Sequence, residues 1–202
     1  MIDHKQITAL VLAGGKSRRM GGRDKGLLPF GDGLLISHVV DLIRPQVGQV
    51  MISANRHTEQ YAALGLPVLP DPLADFQGPL AGFLAGLKAM QTDYLLTLPC
   101  DGPFLVGDLA RRLADGLDTD AGADIAVAHD GQRLQPVYAL LHRRTLSSLQ
   151  QTLDEGERKI DRWFPRQKFV TVDFSHIPEQ FRNINTPEDY ARSRPASTRE
   201  TP

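Results

Sequence analysis

Apolar residues along this chain come in short, nearly unbroken runs separated by stretches with helical spacing. Ile7–Leu12 (ITALVL) is such a run. It ends at Gly14-Gly15 and predicts a strand buried on both faces. Leu35, Val39, Leu42 and Ile43 fall on one face of a helix. Residues 49–54 predict a second strand, 59–64 a helix ended by Gly65, and 67–69 a short third strand closed by Pro70. Leu80, Phe83, Leu84, Leu87 and Met90 again recur at helical spacing, and 94–98 predict another buried strand, ended by Pro99. Two strands at 124–128 and 135–141 flank His129-Asp130-Gly131-Gln132, a link short enough for an antiparallel excursion. A helix around 146–153, a strand at 169–172 and a last helix from Pro187 complete the pattern. Such alternation predicts an α/β fold, with a mainly parallel central sheet, helices on both faces and right-handed crossovers.

In open sheets of this kind ligands bind beyond the carboxyl ends of the strands. Those ends carry Ala13-Gly14-Gly15, residues 53–56, Pro70-Asp71 and Pro99-Cys100-Asp101. The loop at 12–26 is the richest in chemistry. It holds five glycines and five cations: Lys16, Arg18, Arg19, Arg23 and Lys25. Glycines let a backbone approach a ligand and present its N–H groups, and the cations offset phosphate charge. Two common phosphate loops fail here. Gly15-Lys16-Ser17 imitates the end of a Walker A loop, but the earlier glycine it needs falls at Leu10. The dinucleotide fingerprint fails because Lys16 stands where its second glycine is needed.

The chain has 202 residues, 41% hydrophobic and 23% charged, enough for one domain with a real core. A net charge of -1 and a pI of about 6.6 argue against a broad basic surface for nucleic acid. One cysteine, Cys100, excludes an intramolecular disulfide and a cysteine-based metal cluster. No apolar run has membrane-spanning length, and neither Ile7–Leu12 nor the Arg18-Arg19 pair reads as an export signal. The expectation is a cytoplasmic protein with no nucleic-acid or membrane partner. Its single domain would cover 1–192, and the polar segment 193–202 would be a flexible tail. The six histidines show no ligand spacing, and Cys100 reads as a small buried residue.

LAGGKSRRMGGRDKGLL resembles the nucleotidyltransferase signature L-A-G-G-x-x-x-R-M-G-x-x-x-K. The further segments Ala54-Asn55-Arg56, Asp71, Gly78-Pro79-Leu80-Ala81-Gly82, Pro99-Cys100-Asp101, Gly156-Glu157-Arg158 and Asn183-Ile184-Asn185-Thr186-Pro187-Glu188 resemble the molybdenum cofactor guanylyltransferases. The resemblance implies a three-layer, Rossmann-like nucleotidyltransferase fold. It also implies a reaction in which GTP and the phosphate of molybdenum-molybdopterin give a guanine dinucleotide cofactor and pyrophosphate. Mg2+ is the implied metal, and enzymes that deliver molybdopterin or accept the product are the implied protein partners.

Carried onto this chain, the resemblance implies Lys25, Arg19 and Asp101 as catalytic residues. Lys25 would serve the α-phosphate, Arg19 the pyrophosphate and Asp101 the metal. GTP binding falls to Leu12, Ala13, Gly14, Gly15, Lys25, Asn55, Asp71, Gly78, Gly82 and Asp101. Molybdopterin binding falls to Arg158, Asn183 and Asn185. Blander readings stand beside these. Asp101 also suits the cap of a following helix, and Asp71 a turn between prolines. Asn183 and Asn185 suit a turn's backbone groups, Arg158 suits open surface, and Gly82 suits helix–strand packing. Where the guanylyltransferases often carry Asn, two positions before the Asn of A-N-R, this chain has Ser53, which is left off the candidate list.

The implied attacking group is a phosphate monoester, already ionised near neutral pH, so no side-chain base is needed. Alignment and charge stabilisation suffice. The first loop would serve the triphosphate, and Asn183 and Asn185 would wall the opposite side. Another nucleotidyltransferase, such as a molybdopterin cytidylyltransferase, is the nearest rival, and a non-catalytic GTP-binding regulator the rival of another class.

Overall fold

The computed structural model describes residues 1–15, 20–72, 78–120 and 122–195. Its sheet has seven strands: β1 (Ile7–Leu12), β4 (Gln49–Ser53), β5 (Val68–Leu69), β6 (Tyr94–Pro99), β7 (Ile125–His129), β8 (Leu134–His142) and β9 (Phe169–Asp173). The order is β5-β4-β1-β6-β8-β7-β9. Only β8 runs against its neighbours, antiparallel to both β6 and β7, while every other pairing is parallel. A two-stranded ribbon, β2 (Pro29–Phe30) with β3 (Gly33–Leu34), stands apart from this sheet.

Alternation along the strands divides the core in two. Ala9, Val11, Ile52, Leu96 and Leu98 point to one face. There they meet α1 (Leu35–Ile43), α2 (Thr58–Ala62) and α4 (Leu109–Thr119). Leu10, Met51, Leu95, Val127 and Leu141 point to the other, against α3 (Pro79–Ala89), α5 (Leu146–Asp154) and α6 (Ile160–Trp163). These are the three layers expected from the sequence. The helix α7 (Pro187–Ser193) takes the first residue of the expected tail, Ser193, into regular structure, and 196–202 lie outside the described residues.

The helix α4 was not among the elements read from the pattern, nor were α6 and the β2–β3 ribbon. Leu109, Leu113 and Leu117 nevertheless repeat at four-residue spacing and are buried, with Ala110 and Ala114 beside them. Its start at Leu109 also removes Asp101 from the role of helix cap.

Chain order sets the site. From β1 the chain moves to β4 and β5 on one side, then returns through α3 to β6 on the other. The carboxyl end of β1 is therefore a topological switch point, where a crevice opens between diverging connections. In β8, Pro136 offers no N–H to the ladder, and the register slips opposite Val127 and Ala128. Thr97 Oγ1 donates to Val137 O at 2.7 Å there. The irregularity leaves Val137 beside the crevice and Tyr138 buried beneath it.

Candidate active site

Two adjoining cavities occupy the switch point and share Leu12, Gly15 and Pro79. The first, about 270 Å³, is completed by Gly14, Ser53, Asp71, Gly78 and Gly82. The second, about 300 Å³, adds Ala13, Asp24, Lys25, Cys100, Asp101 and Asn185. Of the positions implied for GTP, all but Asn55 line one cavity or the other, and Asn55 stands directly behind the first.

The first cavity is walled by a helix that approaches the sheet closely. A Cβ on Gly82 would fall 2.8 Å from Leu12 Cδ2 and 2.9 Å from Ser53 Oγ. Glycine at that position lets α3 sit on β1 and β4, so packing and cavity-building are one requirement. Gly78, at φ 81°, takes an extended positive-φ backbone that favours glycine, just before Pro79, which suits the first helical position.

Asp71 is held from behind. Asn55 Nδ2 donates to Asp71 Oδ2 at 2.6 Å, and Asp71 N donates to Asn55 Oδ1 at 2.7 Å. Both polar ends of the Asn55 amide are spent in this way, so Asn55 orients Asp71. Ser53 Oγ lies 3.4 Å from Asp71 Oδ1 and lines the cavity. Sequence reasoning set Ser53 aside, and the structure puts it in the wall. Pro79 was likewise named only within the Gly78–Gly82 segment and given no role. Arg56, quoted in the motif but given no role, donates to Gly15 O at 3.0 Å and ties the first loop to the end of β4. The signal for all three was position: each sits at a strand end or helix start that faces the switch point.

In the second cavity, Lys25 Nζ donates to Asp101 Oδ2 at 2.7 Å and to Asn185 Oδ1 at 2.8 Å. The ion pair is largely buried, with side chains 15% and 14% exposed. Ile184 N donates to Asp101 O at 2.8 Å, which brings the C-terminal segment onto the end of β6. A capping box then fixes α7 just after it: Asp189 N donates to Thr186 Oγ1, and Asp189 Oδ2 accepts from Thr186 N and Asn185 N. The side chain of Asn185 is thereby free of turn duty and directed at Lys25.

This corrects one expectation. Asn185 does not wall the side opposite the first loop, because it is in direct contact with that loop's lysine. Asn183 stands apart from the pair, its Oδ1 3.4 Å from the Tyr138 hydroxyl. Arg158 is not among the residues lining the cavity that holds Asn185. Its guanidinium donates to Leu153 O and Glu157 O, and its own carbonyl faces Gly78. Arg19 lies outside the described residues, as do Lys16 and Arg18.

Burial pushes the Cys100 thiol well above its ordinary range, and the neighbouring Asp101 carboxylate adds to the effect. Cys100 is therefore an inert thiol at neutral pH, as its buried position suggested. Among the described residues no group of three His, Cys, Asp or Glu side chains gathers as a metal cage. Magnesium binds through one or two carboxylates plus phosphate oxygens and keeps several waters. Asp101 offers such a carboxylate, and its Oδ1 takes no hydrogen bond among the described residues.

A family profile described as the MobA-like NTP transferase domain matches residues 9–170. The molybdenum cofactor guanylyltransferase of Shewanella loihica is 48% identical over 183 residues, 91% of this chain and 93% of its own. That of Shewanella woodyi is 47% identical over the same length and shares. Among solved structures, the molybdopterin-guanine dinucleotide biosynthesis protein A of Archaeoglobus fulgidus has a TM-score of 0.76 at 23% identity, covering 93% of this chain and 96% of that one. A nucleotidyl transferase from Methanothermobacter thermautotroptrophicus has a TM-score of 0.74 at 22% identity, covering 93% and 95%. These two establish the shared fold, and the curated relatives carry the family. With a profile over most of its length and relatives nearly half identical across nine tenths of it, the chain belongs to the molybdenum cofactor guanylyltransferases, within the MobA-like NTP transferases.

Proposed function

We propose that this chain transfers GMP from GTP to the phosphate of molybdenum-molybdopterin, through the two cavities at the end of β1. The observation that carries this reading is the Lys25–Asp101 pair, 2.7 Å apart, set where the nucleoside cavity opens into the charged one. An oxygen of the acceptor phosphate bonds to the α-phosphorus of GTP, the bond to the bridging oxygen breaks, and pyrophosphate leaves. The first cavity takes the guanine nucleoside, where the carboxylate of Asp71 accepts from the base edge beside Ser53. The N–H groups of residues 13–15 and the Lys25 ammonium receive the phosphates.

Asp101 would hold Mg2+, which when bound supplies charge neutralisation to the phosphates. Lys25 shares Asp101 with that ion's position and offsets charge on the α-phosphate as the bond to pyrophosphate opens. Arg19 is assigned to pyrophosphate from the motif alone. Asn183 is assigned to the molybdopterin side, and Asn185 sits at the junction of the two substrates. Arg158 is assigned to the acceptor side from the motif alone. Steady-state pyrophosphate release tests the reading. Release is expected with GTP only when molybdenum-molybdopterin is supplied; equal turnover of GTP and CTP would contradict the choice of base, and a preference for CTP would assign the chain to the cytidylyl reaction instead.

A further inference from the structure

Asp24 stands at the cap position of the short turn Lys25–Leu27, yet its carboxylate caps nothing in that turn. It turns instead to Tyr61 of α2, whose hydroxyl donates to Asp24 Oδ1 at 2.6 Å. The other oxygen, Oδ2, is buried and has no hydrogen-bond partner among the described residues. Among the described residues, Tyr61 is thus the sole hydrogen-bond partner of a carboxylate that lines the Lys25–Asp101 cavity. Leaving a buried acceptor unpaired costs about 1–3 kcal/mol in general, so such an arrangement calls for an explanation.

A second contact points the same way. A Cβ on Gly26 would fall 2.6 Å from the same Tyr61 oxygen. The phenol therefore bears on the chain on both sides of Lys25, by a hydrogen bond to residue 24 and by close approach to residue 26. Leu27 N donates to Asp24 O and Leu28 N to Lys25 O, so the lysine rides on a closed turn and not on a free strand of loop. Tyr61 itself is fully buried in the core beneath α1 and β4. Burial raises the phenol's pKa, and Asp24 raises it further, which keeps it a donor.

We propose that Tyr61 is a positioning residue for nucleotidyl transfer: through Asp24 it fixes the turn that carries Lys25, and so sets the ammonium between Asp101 and Asn185. This deepens the reading above and rests on it. The hydroxyl touches no substrate, and its effect is exerted on the geometry of the lysine.

The test uses four variants of the full chain, each assayed for kcat and for KM with GTP. Tyr61→Phe keeps the ring and removes the bond. It should lower kcat about tenfold and leave KM for GTP within about twofold, because alignment in the transition state is lost while binding contacts remain. Asp24→Ala should match it. Asp24→Asn keeps an acceptor for the phenol and should hold kcat within about twofold of wild type. Unchanged kcat in Tyr61→Phe would overturn the proposal. So would an Asp24→Asn variant as poor as Asp24→Ala, since the charge and not the bond would then be what counts. If Tyr61→Phe fails to fold, the Asp24 pair decides by the same comparison. Lys25→Ala is run in parallel. Wild-type turnover there would overturn the catalytic reading itself, whereas a loss there with full activity in Tyr61→Phe would overturn only the clamp.

Discussion

Lys25 and Asn185 are 160 positions apart in the chain and 2.8 Å apart in space. The contact joins the first loop to the segment before the last helix, and under the proposed function it makes the two substrate regions meet at one ammonium group. Replacing Asn185 with Ala therefore removes an acceptor from a charged donor, an interaction of about 1.5–3 kcal/mol in general. The expected result is a fall in kcat/KM for GTP of about tenfold, alongside weaker molybdopterin binding. Calorimetry with each ligand, together with steady-state kinetics, checks both parts.

Selectivity for the base should depend on how firmly Asp71 is held. Asn55 binds its carboxylate and its backbone N–H at once. Asn55→Ala is expected to reduce the preference for GTP over CTP by about tenfold, because a loosened carboxylate no longer discriminates a base that leaves it unpaired. Ser53→Ala, at 3.4 Å from the same carboxylate, should shift the ratio less. Competition between the two nucleotides in one reaction measures the ratio directly.

Gly82 carries both the fold and the cavity. A methyl group there meets Leu12 Cδ2 at 2.8 Å and Ser53 Oγ at 2.9 Å. Gly82→Ala should destabilise the chain by about 1–3 kcal/mol, the usual range for overpacking, and should raise KM for GTP. Thermal melting with and without GTP separates the two effects.

Tyr61 and Tyr138 both have phenol pKa values raised by burial, with nearby negative groups adding to the shift. Their folded pKa lies above the unfolded value of about 10, so their contribution to stability is complete below that pH. Above it, only the unfolded chain ionises these groups, and stability falls as pH rises. Alkaline titration should show these two phenols un-ionised in the folded chain at about pH 11, with their phenolate absorbance appearing together with loss of circular dichroism. Ionisation of both well before unfolding would contradict the assignment.

Much of this was legible in the chain before any fold was known. Ile7–Leu12 and the run ending at Pro99 announce central strands because strands covered on both faces are continuously apolar. The glycine and cation loop, Asp71 and Asp101 all fall at strand ends, which is where a parallel sheet presents its ligands. What escaped has physical reasons. The leucine stripe of α4 runs between Arg111, Arg112, Asp115 and Asp118, so its helix signal is narrow and diluted by charge. Ser53 was judged by what a hydroxyl lacks relative to an amide, and its place in the cavity wall depends on Gly82 approaching it. The Lys25–Asn185 contact depends on Ile184 pairing with Asp101, a backbone bond between distant segments that no local pattern encodes. The Tyr61–Asp24 bond is of the same kind, since it requires α2 to lie beneath the loop.

The most direct measurement is turnover by Asp101→Asn, assayed as pyrophosphate release from GTP with molybdenum-molybdopterin across a range of magnesium concentrations. The substitution keeps the shape of the side chain and removes the charge that Lys25 pairs with and that the proposed Mg2+ would need. A folded variant with kcat reduced about 100-fold, and not restored by excess magnesium, is the expected result, on the scale of losing one group that stabilises developing charge. Wild-type turnover at limiting magnesium would contradict it.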